Sequence, residues 1–242
     1  MKTIYSQTPE ELGKKAAQHA AKLLRQYIAQ NGGARLLLST GASQLTTINA
    51  LLEEPVEWEK VEMFHLDEYI NLSQDHPASF IKYLKERFVA KVPLGKVHYV
   101  DTSGDVNEMI ARLTREIRKK PVDVGLIGIG ENAHIAFNDP PADFDSEEAF
   151  IVVTLAESCR KQQLGEGWFP TIDDVPTKAV TMTVRQILKC KHILSAVPFK
   201  VKAQAIYDTM TAPDITPMVP ATILREHEDW TVYLDKDSSS ML

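Results

Sequence analysis

An amide, an imidazole and a carboxylate fall within eight residues at Asn132, His134 and Asp139, directly behind Gly128 and Gly130. Histidine exchanges a proton near neutral pH, its unperturbed pKa being about 6.5. With a carboxylate close by it makes an acid/base pair. The same residues would also suit a hydrogen-bonded turn with no chemistry. The glycines read Gly-x-Gly without the further glycine of GxGxxG, so no dinucleotide fingerprint is present. Asp67 and Glu68 form a second centre. Neighbours at a strand end point to opposite faces, so one could meet a crevice as general base while the other is held by structure. Surface-loop acids are the alternative.

A third centre is Thr40-Gly41-Ala42-Ser43, small residues between an apolar run and a helical pattern. A helix N-terminus after such a turn offers free amides and the positive end of its dipole to an anion. Ser43 adds a hydroxyl, or is a plain N-cap. Arg160, Lys161, Lys200 and Lys202 supply cations after apolar runs. His65, His76, His98, His192 and His227 lie far apart without HxxxH or CxxC spacing, so no metal is expected.

Strands must deliver these groups. Residues 122–127 are apolar and β-branched at three positions, the pattern of a strand buried on both faces in a parallel sheet. Residues 35–39, 61–66, 97–100, 149–155, 179–184, 192–197 and 230–234 are further strand candidates. Helical patterns begin at Thr8-Pro9 and end at Gly32-Gly33, and recur near 44–52, 79–89, 106–119, 200–206 and 217–225. Residues 165–176 read as irregular, either a lid or a surface loop, and 235–242 as a polar tail. This alternation predicts one α/β domain over residues 1–242 with a mostly parallel sheet, whose ligands bind beyond the carboxyl ends of the strands.

The chain has 242 residues, 44% of them hydrophobic and 25% charged, enough for a sizeable core. A net charge of −6 argues against nucleic acid and leaves an anionic substrate to be held by local groups. Two cysteines suggest a reducing compartment. No apolar run reaches membrane-spanning length, and the first residues lack the apolar core of a signal peptide, so a cytoplasmic protein is expected.

Six segments taken in order carry a family likeness: STGASQLTT (39–47), FHLDEYINL (64–72), HPASF (76–80), GIGENAHIAFNDP (128–140), KAVTMTV (178–184) and VPATILREH (219–227). Across residues 36–234 the chain resembles the glucosamine-6-phosphate deaminase/isomerase family, itself related to 6-phosphogluconolactonases. The resemblance implies a three-layer αβα sandwich with a Rossmann-like sheet. It also implies a cofactor-free aldose–ketose isomerase/deaminase, classed with hydrolases, that turns an amino-hexose 6-phosphate into a ketose phosphate and ammonia in amino-sugar metabolism. On this resemblance Asp67 moves the proton between C2 and C1, and His134 opens the sugar ring with help from Asn132 and Asp139. Gly41, Ala42, Ser43, Glu68, Arg160 and Lys202 fall on or near substrate- and phosphate-binding positions. A small sugar phosphate is the implied partner; the epimer and any homo-oligomer are left open. Alternatives are a 6-phosphogluconolactonase-type hydrolase and a non-catalytic sugar-phosphate-binding regulator.

Several positions depart from the family pattern. Ala133 stands where glycine is usual, which costs strain if the position needs positive φ. Asp139 is one methylene shorter than the usual Glu, which threatens its contact with His134. The turn reads Gly-Ala-Ser instead of Gly-Gly-Thr or Gly-Gly-Ser, and Arg185 replaces a Gly-rich turn. Ile151-Val152-Val153 lacks the basic pair that allosteric relatives use for an N-acetylated activator, so no such activation is expected.

Overall fold

The computed structural model describes residues 1–165 and 167–242. The chain opens with β1 (Lys2–Tyr5), α1 (Pro9–Asn31), β2 (Ala34–Leu38), α2 (Leu45–Leu52), β3 (Val61–His65) and β4 (Asp67–Tyr69). It continues through α3 (Phe80–Arg87), β5 (Lys96–His98), α4 (Val106–Ile117), β6 (Val124–Leu126), β7 (Phe150–Thr154) and α5 (Glu157–Gly165). It closes with β8 (Lys178–Met182), α6 (Val184–Ile187), β9 (His192–Val197), α7 (Ala203–Thr211) and β10 (Trp230–Leu234). The caps explain several boundaries. The Thr8 hydroxyl accepts from the Glu11 amide at 3.2 Å, and Gly32 ends α1 with φ 76°. Ser79 and Asp105 cap α3 and α4 in the same way.

Seven strands form a wholly parallel sheet in the order β1-β10-β9-β6-β2-β3-β5. Leu36 and Leu38 face a core built with α1, α2 and α3, while Leu37 faces a second core with α4, α6 and α7. Helices therefore cover both faces, giving a three-layer sandwich. The chain lays β2, β3 and β5 outward, then returns to place β6 on the other side of β2. That reversal opens a crevice at the carboxyl ends of β2 and β6, where such sheets bind ligands.

A separate antiparallel sheet, β4-β8-β7, departs from the expected single sheet. The apolar runs at 149–155 and 179–184 do form strands, but in β7 only Phe150 is buried, and Ile151 to Thr154 alternate between half-buried and exposed. One face can stay wet in an antiparallel sheet, which a run of β-branched residues does not reveal. Four other differences are local. The edge strand β1 is too short to show a pattern, and α5 replaces an unassigned stretch. The expected helix near 217–225 is a 3₁₀ stretch, Pro220–Glu226. Asp235 and Ser238 in the presumed tail are buried, with the Asp235 carboxylate accepting from the Ser238 amide at 2.7 Å. Among the described residues, no helix is long and apolar enough to cross a membrane.

Gly13 lets α1 lie against α2: a Cβ there would stand 2.7 Å from the Thr46 carbonyl carbon. Backbone cannot step aside as a side chain can. Gly13→Ala should cost about 1–3 kcal/mol and lower the urea midpoint, measured by equilibrium unfolding.

Candidate active site

The turn after β2 is locked to the end of β6. The Ser39 amide donates to the Leu126 carbonyl at 3.0 Å, and the Gly128 amide donates to Ser39 Oγ at 3.1 Å. Gly41 adopts φ 102° and leads into a 3₁₀ turn, Ala42–Gln44, that runs on into α2. Only glycine takes that conformation cheaply. The first amides of such a turn have no intrahelical partner, and the dipole behind them favours an anion. Two side chains hold the turn. The Tyr83 hydroxyl donates to the Gly41 carbonyl at 2.9 Å, and Gln44 Nε2 donates to Ser43 Oγ and the Ala196 carbonyl, each at 3.1 Å. Lys202, buried in a 3₁₀ turn ahead of α7, lines the same cavity as Gly41, Ala42 and Ser43. Backbone amides, a hydroxyl and an ammonium facing one space suit a phosphate.

Asp67 lies where the chain leaves the parallel sheet. One residue, Leu66, separates β3 from β4, and its carbonyl accepts from the Met182 amide at 2.9 Å. Asp67 starts β4 opposite Thr181, is only 6% exposed, and lines the cavity. Burial pushes its carboxyl up to about 8 and the neighbouring Glu68 charge adds to this, against a smaller lowering by the nearby Phe137 amide. A carboxyl in that range can both take and return a proton near neutral pH.

The loop after β6 folds His134 back over Gly130. A Cβ on Gly130 would stand 2.2 Å from the imidazole, so glycine is required for this close approach. His134 Nδ1 faces Asn132 Oδ1 at 2.5 Å and Asp139 Oδ1 at 3.3 Å, and Asn132 Nδ2 donates to Asp139 Oδ1 at 3.0 Å. Two acceptors at Nδ1 place a proton there and leave Nε2 as the basic nitrogen. The shorter Asp139 therefore keeps its contact with the histidine. Burial alone would raise the Asp139 carboxyl, but hydrogen bonds from His134, Asn132 and the Ala156 amide hold it below its ordinary value. Ala133 does adopt positive φ, 62°, with its methyl buried in the core beneath the loop.

Four anticipated residues do not line the cavity: Asn132 and Asp139 stand behind His134, and Glu68 and Arg160 are directed elsewhere. Glu68 turns the other way, as alternation along β4 requires: its carboxylate accepts from the Ser79 hydroxyl at 2.9 Å and the Ile81 amide at 2.8 Å, capping α3. Burial raises its carboxyl, and these hydrogen bonds oppose the rise. Arg160 turns one guanidinium nitrogen to the Ile172 carbonyl, while its Nε is buried with no hydrogen-bond partner among the described residues. Gln163 and Trp168, from α5 and the stretch behind it, line the cavity instead. Low apolar content hid α5, and only the position of Tyr83 one turn into α3 hinted at its contact with the turn. The stretch expected as lid or loop (165–176) is pinned by Phe169, buried against Tyr69 and His76; Glu166 within it lies outside the described residues. Glu62, His98 and Glu116 bring three ligand atoms within 4.8 Å of one another. They lie off the cavity lining, and Arg35, Lys96 and Lys119 already pair with the carboxylates.

The family described as glucosamine-6-phosphate isomerases/6-phosphogluconolactonase matches residues 7–233. A glucosamine-6-phosphate deaminase of Exiguobacterium sibiricum is 35% identical, over 100% of this chain and 93% of its own length. Glucosamine-6-phosphate deaminase 1 of Bacillus subtilis is 33% identical, over 100% and 99%. A solved structure of a monomeric glucosamine-6-phosphate deaminase superposes with a TM-score of 0.91 at 32% identity, covering 100% of both chains. A 6-phosphogluconolactonase from Thermotoga maritima gives 0.78 at 20% identity over 97% of this chain and 100% of that one, a likeness of fold.

Asp67 supplies a stability signature. The folded state holds its proton more tightly than an unfolded chain titrating near 3.8, so its contribution is full at low pH and is lost as pH rises through about 8. Asp67→Asn should raise the melting temperature by a few degrees at pH 9 and by much less at pH 5, read by calorimetry at both. Gly130→Ala should leave folding intact by circular dichroism while displacing the imidazole, with a loss of activity of about 100-fold or more.

Proposed function

The chain belongs to the glucosamine-6-phosphate isomerase/6-phosphogluconolactonase family, and on that premise we propose that it converts an amino-hexose 6-phosphate into a ketose 6-phosphate and ammonia, as a single domain over residues 1–242. The observation that carries this reading is the shared cavity: a buried carboxyl with raised proton affinity and an oriented imidazole share it with an anion-binding turn.

The chemistry follows from the groups. The 6-phosphate rests on the amides of Ala42 and Ser43 and on Lys202, which anchors one end of the sugar. His134 Nε2 takes the proton from the anomeric hydroxyl and returns it to the ring oxygen, leaving the open-chain aldehyde. Asn132 and Asp139 keep its tautomer and absorb the transient positive charge. Asp67 removes the C2 proton while O1 takes up the proton given up by the substrate's ammonium, giving a neutral enol-amine, and Asp67 then returns its proton to C1. That leaves a carbon–nitrogen double bond at C2. Water adds to it, ammonia departs, and the ketose phosphate remains. Every step is a proton transfer, an addition or an elimination, and needs no cofactor.

A lactonase-type hydrolase is less well supported. Its likeness is one of fold at 20% identity, and residues 135–140 here read IAFNDP. A pure binder is disfavoured by Asp67, because a sugar-phosphate receptor has no use for a carboxyl whose ionisation is costly in place.

Purified protein should release ammonia and fructose 6-phosphate from glucosamine 6-phosphate, and Asp67→Asn and His134→Ala should each lose about 100-fold or more in turnover. Binding without turnover by the parent would sink the enzyme reading. Because Asp67 must be ionised to act, kcat/KM should climb roughly tenfold per pH unit below about 8 and level off above it. A flat profile from pH 6 to 9 would remove Asp67 as the base.

A further inference from the structure

Gln163 is a buried polar residue of the cavity wall that the reaction above leaves unused. It projects from α5, is 7% exposed, and lines the cavity together with Asp67, His134 and Lys202. Among the described residues, no hydrogen bond uses its carboxamide. Gln44, an equally buried glutamine at the phosphate turn, is the contrast: its amide nitrogen is spent on Ser43 and the Ala196 carbonyl. The polar atoms of Gln163 are not sealed off from the cavity, so a ligand entering there displaces the water that meets them and must supply the hydrogen bonds in its place.

The chemistry of the group narrows what that ligand is. An amide offers two N–H donors and a carbonyl acceptor without net charge. A phosphate is better met by the Ala42–Ser43 turn and Lys202, and an ammonium by a carboxylate. A hydroxyl both donates and accepts, as an amide does. In an amino-hexose phosphate the phosphate end and the C1–C2 end are already accounted for, which leaves the hydroxyls between them. We propose that Gln163 is the specificity-determining residue of this site: its carboxamide hydrogen-bonds a hydroxyl at C3 or C4 of the sugar chain and thereby selects the epimer. The proposal rests on the amino-hexose 6-phosphate reading of the same cavity.

A site built around such a bond rejects a substrate that cannot make it, because the protein's own polar group is then stranded. The test is a cycle of kcat/KM values. Parent protein and Gln163→Met, of similar length but without hydrogen-bonding capacity, are each assayed with glucosamine 6-phosphate, its 3-deoxy and 4-deoxy analogues, and galactosamine 6-phosphate. Gln163→Glu, which retains an acceptor, serves as a second variant in case the first folds poorly, and melting curves accompany both. In the parent, one deoxy analogue should lose about 10- to 100-fold relative to glucosamine 6-phosphate. In Gln163→Met that same penalty should collapse to less than about threefold, and the preference between the two epimers should shrink with it. Gln163→Glu should recover part of the discrimination. A structural role for Gln163 would lower all four substrates alike and leave the ratios intact, which would overturn the proposal while leaving the deaminase reading standing. A parent that turns over none of the four would overturn both.

Discussion

A carboxyl group held at the seam between two sheets governs the rest of this structure. Asp67 follows Leu66, the single residue after β3, where the chain leaves a parallel sheet and begins pairing with β8. That position takes it out of bulk water beside the Glu68 carboxyl, and the nearby Phe137 amide offsets this only in part, so its proton is held far more tightly than in solution. Satisfying it more fully would lower its affinity for a proton and with it its usefulness as a base. The small antiparallel sheet exists in part to make this seam: β8 receives β4, and Thr181 accepts from the Phe137 amide at 3.0 Å.

The remaining polar groups are arranged so that each has one free side. His134 spends Nδ1 on Asn132 and Asp139 and keeps Nε2. The turn at Gly41 is held by Tyr83 at its carbonyl and by Gln44 at the Ser43 hydroxyl, neither of which uses its first amides. Asn138 ties the histidine loop to its neighbours by donating to the Ile135 and Met182 carbonyls at 2.8 and 2.9 Å. Pre-organisation of this kind lets a proton move without rearranging the protein around it.

Much of this was legible in the sequence, and for identifiable reasons. The strand ends at 39, 66 and 127 are marked by largely apolar runs that stop at small or charged residues, so the sequence alone places the crevice and its turn. The cavity residues Gly41, Ala42, Ser43, Asp67, His134 and Lys202 fall where those ends put them. Glu68 was harder, because alternation says that one of two adjacent acids faces the cavity but cannot name the other's partner. Its partner, the α3 N-terminus, is a tertiary fact. That the Arg160 guanidinium turns to the Ile172 carbonyl was not legible either, because α5, the helix that carries it, is too poor in apolar residues to show a pattern. Gln163 was invisible for the same reason: a neutral polar residue in a polar helix has no signal until burial reveals it. Ala133 shows the opposite case, since positive φ was foreseen as a cost and the structure adopts it with the methyl packed below the loop.

The most direct test of a single shielded carboxyl carrying the proton is the stereochemistry of its return. Glucosamine 6-phosphate would be converted in deuterium oxide and C1 of the fructose 6-phosphate examined by proton NMR. One fixed base on one face of the intermediate requires solvent deuterium to enter only one of the two prochiral positions at C1. Deuterium divided equally between both positions would mean that water, not Asp67, delivers the proton, and would contradict the account at its centre.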